Sequence, residues 1–375
     1  MYKIIEINRD NNKELQSFIN FPYMLYKGDP YWVPPLKGEL KKLLQHKEGM
    51  QLNGGPSALF MVKKDGINAA RILVGVNHTK NGQRGRKDGY FALFEAIDDI
   101  KATKLLMDKA ISWFLKEGVD RITGPMSPTN GDDNRGLTIE GFNSLPSINT
   151  VYTKDYYPAM MEALGMTKYL DFYAFNLTFD KRQIERVKSI EDYLKRKLQL
   201  TVDPLNLKNI DEEIKAIHQV LVQSMLAHWE HLEVPTYDQI YQEFVSLKNF
   251  IDPALIQIAR VKGKPVGFVA GIPDYNQVLR HLKGKLTPLG ALKFLYYRRR
   301  ITRARMFMQF VIPEYQKKGV VAALYGELYR AYSSRGYKEM EGSTIAEFNV
   351  DSLAIIKGVG FEKSRAYRLY KMNIQ

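Results

Sequence analysis

Two rhythms of apolar residues alternate along the chain, and their order is nearly the same in both halves. In the first half, YKIIEI (2–7) reads as a strand and ELQSFINFPYMLYK (14–27) as a helix. SALFMVKKDG and INAARILVGV (57–76) are two strands meeting at a Lys-Asp-Gly turn, the chemistry that closes hairpins. GYFALFEAI (89–97) is a longer buried strand, and KATKLLMDKAISWFLKEG (101–118) carries its apolar residues at helical spacing. RITGP, a loop-rich stretch, the short helix YYPAMMEALG and the strand LDFYAFNLTF complete this half.

The second half repeats the plan. LTVDPLNL (200–207) is a strand, and DEEIKAIHQVLVQSMLAHW (211–229) is a helix whose first turn is acidic, as the helix dipole favours. ALIQIARVKGKPVGFVAGI (254–272) is a strand pair around Lys-Gly-Lys-Pro, and ARMFMQFVI (304–312) is a buried strand running through PEYQKKG into a helix. The repeat shows in letters too. GVDRITGP from Gly118 and GYKEMEG from Gly336 each carry a second Gly six positions on, and Gly165-Met166 and Gly360-Phe361 each close a short helix before a Tyr-rich strand. The charged helical stretch DKRQIERVKSIEDYLKRK reads as the connector, dividing the chain into 1–180, a link at 181–200, and 201–375.

With 375 residues, 45% of them hydrophobic, the chain is long enough for two domains with their own cores. A count of zero Cys excludes disulfides, thiolate metal sites and a cysteine nucleophile. The start, MYKIIEINRDNN, has neither an apolar signal core nor an Arg-rich transit helix, and no apolar run approaches the roughly 18 residues of a membrane span. The expectation is a cytoplasmic protein. A net charge of +14 favours a polyanionic partner without choosing among nucleic acid, anionic lipid and a phosphorylated small molecule.

The chemistry concentrates at PEYQKKGVVAAL (313–324). A strand that ends in a tight turn opening a helix makes an anion site, because unpaired amides and the helix dipole aim at one spot. Gly319 lets backbone approach a ligand, Lys317 and Lys318 add charge, and Gln316 is placed to cap. A surface turn with solvated lysines is the plainer reading of the same letters.

Strand, IPEYQKKGV, helix, strand, Asn, short helix, Gly-Phe and Tyr-rich strand, in that order, resemble the GNAT superfamily of acyl-CoA-dependent N-acetyltransferases over residues 200–375. Residues 1–180 look like a degenerate second copy, so the resemblance implies an α/β fold of two tandem GNAT-like domains, each a mixed twisted sheet flanked by helices. In the family's pyrophosphate loop pattern, Gln316, Lys317, Lys318, Gly319 and Val320 match, while Val321 stands where a small residue is usual. The resemblance implies that this loop holds the pyrophosphate of acetyl-CoA or another acyl-CoA, that Phe310, Val311 and Ile312 pair with its pantetheine arm, and that Asn349 belongs to the site. In the first half the matching junction carries Asp98 and Asp99 and no Gly, which would repel phosphate, so one coenzyme site is expected.

Amide formation from a thioester needs a base for the amine and a donor for the leaving thiolate. Many GNAT enzymes place a Tyr acid where this chain has Ile356. Tyr367, with Tyr370 on the same final strand, is the substitute acid candidate, and Glu347 is the base candidate; core packing and a solvated turn acid are their plainer roles. His228 and His231 lie three apart with no third ligand at a recognisable spacing, and no metal site is expected. RRRITRAR (298–305) fits coenzyme phosphates, an anionic surface or a solvated helix end, and FPYMLYKGDPYWVPPL (21–36) fits a lid or a packed connection.

The resemblance therefore implies acyl transfer from acyl-CoA to a small-molecule or peptide amine, without a covalent enzyme intermediate. A tRNA-dependent aminoacyl-transferase, which would put nucleic acid on the basic surface, and a non-catalytic acyl-CoA sensor are the rival readings.

Overall fold

The computed structural model describes residues 1–45, 55–128, 133–178, 181–225 and 234–374. The first half runs β1 (Tyr2–Glu6), α1 (Asn12–Leu25), α2 (Lys37–Leu44), β2 (Ser57–Lys64), β3 (Ile67–Val76), α3 (His78–Arg84), β4 (Asp88–Ala96), α4 (Ile100–Lys116), β5 (Arg121–Met126), β6 (Leu137–Glu140), α5 (Tyr157–Ala163) and β7 (Thr167–Thr178). Helix α6 (Lys181–Leu198) leads to β8 (Leu200–Pro204), α7 (Ile210–Ser224), α8 (Tyr237–Leu247), β9 (Ile256–Val261), β10 (Lys264–Pro273), α9 (Asn276–Leu282) and α10 (Pro288–Arg298). The chain closes with β11 (Arg303–Val311), α11 (Val320–Arg335), β12 (Glu339–Ala346), α12 (Val350–Val359) and β13 (Glu362–Asn373).

The described strands join in one mixed sheet, ordered β1-β2-β3-β4-β5-β13-β7-β12-β11-β10-β9-β8, with β6 attached to β13. The centre of this order was not legible from the repeat. The last strand of each half sits beside the other half: β13 pairs with β5, and β7 pairs with β12, while β7 and β13 pair with each other. Both strands are buried in runs through their middles, at 170–172 and 174–175 in β7 and at 365–367 and 369–370 in β13, as strands covered on both faces are. The halves are thus tied by backbone ladders rather than by side-chain contact alone.

Each half keeps its own core. Helix α4 lays Ala102, Leu106, Met107, Ala110 and Phe114, spaced three and four apart, on the first half's sheet, and α11 does the same with Val320, Ala323, Leu324 and Leu328 on the second's. The elements α3, α8, α9 and α10, and strand β6, were not predicted from the sequence.

The stretch 21–36 is a packed connection. Trp32 stacks on Tyr26 with ring centroids 5.0 Å apart and meets Tyr23 edge-on at 5.1 Å. Tyr152 donates to the Asp29 carboxylate at 3.2 Å, and the Lys37 amide donates to the Gly284 carbonyl at 3.1 Å, so this strap reaches both the loop after β6 and the turn before α10.

Candidate functional site

Strand β11 pairs in parallel with β12 only from Arg303 to Met306, while its antiparallel pairing with β10 continues to Val311. β12 turns away instead along β7, with a register shift between Ser343 and Ile345. A wedge therefore opens beside residues 307–311, and Phe307 lies 40% exposed in it. The Ile312 amide donates to the Val266 carbonyl of β10 at 3.0 Å. By strand alternation the backbone groups of Phe310 also face β10, and those of Gln309 and Val311 face the wedge. A ligand added as an extra strand would meet the latter pair.

At the wedge's end the chain makes a short 3-10 turn, Pro313–Tyr315, and enters α11. Gln316 does not point outward: its side-chain amide donates to the Val311 carbonyl at 3.0 Å, pinning the loop onto the strand. Lys317 (φ 58°) and Gly319 (φ 89°) are both left-handed, which turns the exposed loop sharply enough for Gly319 to cap the helix. That cap has no side chain, and the first intrahelical bond is Ala323 to Gly319 at 3.2 Å. The amides of Val320, Val321 and Ala322 thus project from the helix end with the dipole behind them. Val320 is buried and Val321 half-buried, so the bulk at 321 is turned partly into the core.

The equivalent helix end in the first half is closed. Asp99 caps α4, accepting from the amides of Lys101 at 3.0 Å and Ala102 at 3.2 Å, and also from Lys64 at 2.7 Å and Tyr2 at 2.8 Å. The Lys64 ammonium foremost holds its carboxyl down at about 2. An anion approaching α4 meets a charge already seated there.

On the opposite side of the wedge, Asn349 caps α12, accepting from the Ser352 amide at 3.2 Å. Glu347 accepts from Lys168 at 2.6 Å and from the Asp171 amide at 3.1 Å, so each of its carboxylate oxygens already has a partner. Ile356 is buried and would contact any side chain added at Gly342 of β12, so the position of the usual acid is filled with core.

Tyr367 is fully buried and its hydroxyl makes no hydrogen bond of normal geometry. Burial first, and then the Glu341 carboxylate, push its pKa up to about 12 against the pull of Arg365, Thr150 and Arg305. It belongs to a buried polar layer that sequence reading missed. Arg305 donates to the Ser343 hydroxyl at 2.8 Å and to the Ile148 carbonyl at 2.8 Å, and Ser343 donates to Glu341 at 2.7 Å. Arg303 binds the buried Asp274 at 2.6 Å, and Asp274 in turn accepts from the Ile148 amide at 2.8 Å. Arg365 donates to the Ser144 hydroxyl at 2.7 Å, close against Gly141 (φ 85°), where an added Cβ would lie 2.5 Å from the Ser364 carbonyl oxygen. Alternation at the start of β11 was the available signal: Arg303 and Arg305 share one face, ahead of the register shift that sets Met306 opposite Gly271 and Met308 opposite Ala270.

This layer fastens the segment 144–150 over the sheet beside the wedge and divides the 298–305 cluster in two. Arg303 and Arg305 are structural, while Arg298, Arg299 and Arg300 are exposed. His228 and His231 lie outside the described residues, and among those described no group of three or more His, Asp or Glu is placed to hold a metal.

The parallel pair thus splays open and runs into a glycine-capped helix. Residues 214–361 match the model of the acetyltransferase (GNAT) family. That segment is a GNAT domain. The whole chain overlays a tandem GNAT protein from the clavulanic acid biosynthesis pathway, solved without AcCoA, with a TM-score of 0.56 at 12% identity, covering 100% of this chain and 99% of that one. That likeness fixes the fold as two GNAT-like units in tandem. Among curated proteins it is similar to Protein YghO of Escherichia coli (strain K12), 29% identical over 385 residues, covering 97% of this chain and 94% of the relative. It is also similar to a bacterial ceramide synthase of Caulobacter vibrioides (strain NA1000 / CB15N), 25% identical over 372 residues, covering 96% and 94%.

Proposed function

We propose that this protein is an acyl-CoA-dependent N-acyltransferase with a single coenzyme site, in units 1–180 and 201–375 joined by 181–200. The observation that carries the reading is the contrast between the two helix ends: α11 presents free amides behind Gly319, and α4 is closed by Asp99. In this account the amides of Val320 to Ala322, with Lys317 and Lys318, hold the coenzyme pyrophosphate, and the backbone of Gln309 and Val311 lines its pantetheine arm, in place of the expected Phe310 and Ile312, which face β10. Acetyl-CoA and longer acyl-CoAs both fit that backbone-based grip.

The acceptor amine attacks the thioester carbonyl, the C–N bond forms, the C–S bond breaks and the coenzyme leaves as a thiol. Glu347 takes the amine proton once Lys168 releases it, and Tyr367, protonated throughout the neutral range, is the donor candidate for the leaving sulfur. Ceramide is the amide of a fatty acid and a long-chain amino alcohol, and the full-length similarity to a ceramide synthase favours a long-chain amine as acceptor. One observation favours the non-catalytic rival: the usual acid position is the buried Ile356.

The test follows thiol release and amide product by mass spectrometry, with acetyl- and palmitoyl-coenzyme A against short amines and sphinganine. Amide formed with sphinganine supports the full reading, amide formed only with short amines overturns the acceptor class, and coenzyme binding without any amide favours the sensor.

A further inference from the structure

Helix α10 has one face packed and the other open. Phe294 stacks on Tyr275 with centroids 5.8 Å apart, Tyr297 stacks on His281 at 3.8 Å, and Gly290 is buried. On the outer side Leu289, Leu292, Leu295 and Tyr296 are 63%, 65%, 60% and 51% exposed, and Leu286, just before the helix, is 64% exposed. At about 100° per residue the four helical positions fall within an arc of roughly 120°, a continuous apolar stripe. Single exposed apolar residues are ordinary, but a stripe of five large ones is not.

Positive charge frames the stripe. Arg280, Lys283, Lys285, Lys293, Arg298, Arg299 and Arg300 are all exposed. Between Asp274 and Glu314 the chain has no acidic residue at all. Helical position puts Lys293 at one border of the stripe and Arg298 at the other, and the Arg300 guanidinium lies 4.0 Å over the Tyr296 ring.

Few surfaces complement both features. A second copy set face to face would bring these seven cations against their own counterparts. A nucleic acid would answer the charge and leave the leucines in water. A bilayer rich in anionic headgroups answers both, taking Leu and Tyr to the acyl boundary and Lys and Arg among its phosphates. We infer that α10 is an interfacial helix that seats this protein on an anionic phospholipid surface. No described helix is long and apolar enough to cross a membrane. The contact is therefore one of lying on the bilayer. β11 begins just after α10 and ends at the coenzyme loop, about 26 Å further along at strand rise. The inference rests on α10 itself and extends the acyl-transfer reading, since a long-chain amine resides in such a bilayer.

The test is co-sedimentation of the full chain with vesicles of phosphatidylcholine alone and of phosphatidylcholine mixed with phosphatidylglycerol, without acyl donor or amine. Native protein is expected in the pellet with the anionic vesicles at low salt, and at least tenfold less bound to the neutral ones. Leu289→Ser combined with Leu292→Ser and Leu295→Ser removes only exposed side chains, and is expected to keep the native circular dichroism and melting temperature while losing the vesicles. Arg298→Glu with Arg299→Glu and Arg300→Glu is expected to weaken binding roughly a hundredfold. Native protein that pellets with neither vesicle overturns the inference, as does a leucine variant that binds like the native chain. A native dimer that the leucine variant makes monomeric, without vesicle binding, assigns the face to a second copy and overturns it too. Because no substrate is present, failure here is separable from failure of acyl transfer.

Discussion

Substituting Gly319 separates what the loop does for folding from what it does for the coenzyme. At φ 89° the residue sits in a region that costs an L-side chain about 1–2 kcal/mol. Gly319→Ala carries this strain and nothing else, so it is expected to lower unfolding free energy by about that amount in urea titration and to leave coenzyme affinity within several-fold of native. Gly319→Glu carries the same strain and adds a carboxylate beside the pyrophosphate. A charge pair about 5 Å apart repels by about 0.8 kcal/mol in water and about 3 kcal/mol at an effective dielectric constant near 20. The glutamate variant is therefore expected to bind acyl-coenzyme A roughly 4- to 150-fold more weakly than the alanine variant, at equal stability. Calorimetry on both, at low and moderate salt, reads the difference, and salt is expected to shrink it. Equal affinity of the two variants would refute the placement of the pyrophosphate at this helix end.

Three further outcomes follow from the same geometry. Asp99→Ala is expected to cost about 1 kcal/mol as a lost helix cap. With its folded-state pKa depressed to about 2, Asp99 contributes stability that is present above its ordinary value of 3.8 and lost as pH falls through about 2, so native protein and Asp99→Asn are expected to converge in melting temperature in acid. Asp274→Ala leaves the Arg303 guanidinium buried without its carboxylate and frees the Ile148 amide, an expected loss of about 3–5 kcal/mol by urea unfolding, against within 1 kcal/mol for exposed Glu314→Ala. Tyr367→Phe removes a buried hydroxyl that lacks a normal hydrogen bond, so stability is expected to hold or rise slightly, while a fall of about a hundredfold or more in kcat marks it as the acid.

What was legible in the sequence and what was not divide along a physical line. The β11–loop–α11 passage announced itself because a left-handed cap needs Gly319 and a buried strand needs its apolar run, both local requirements. The closed end of α4 was legible for the same reason, since Asp99 serves as the cap of its own helix. The exchange of β7 and β13 was hidden, because a strand's pattern states that it is buried and never names its neighbour. Glu341, Arg303 and Arg305 were hidden as well, because a buried ion pair is identified by its partner, and Asp274 and the segment at Ile148 come from distant parts of the chain. The outer face of α10 was hidden for another reason: leucines in letters do not say whether they face core or water, and only the fold shows that these face water.

The central claim is that the second half alone holds an acyl-coenzyme A. Calorimetric titration of the native chain with palmitoyl- and acetyl-coenzyme A addresses it most directly. The account expects saturable binding of one molecule per chain, weakened at least several-fold in Gly319→Glu and unchanged in Asp99→Asn. Two molecules per chain, or no binding of either thioester to folded native protein, would contradict it.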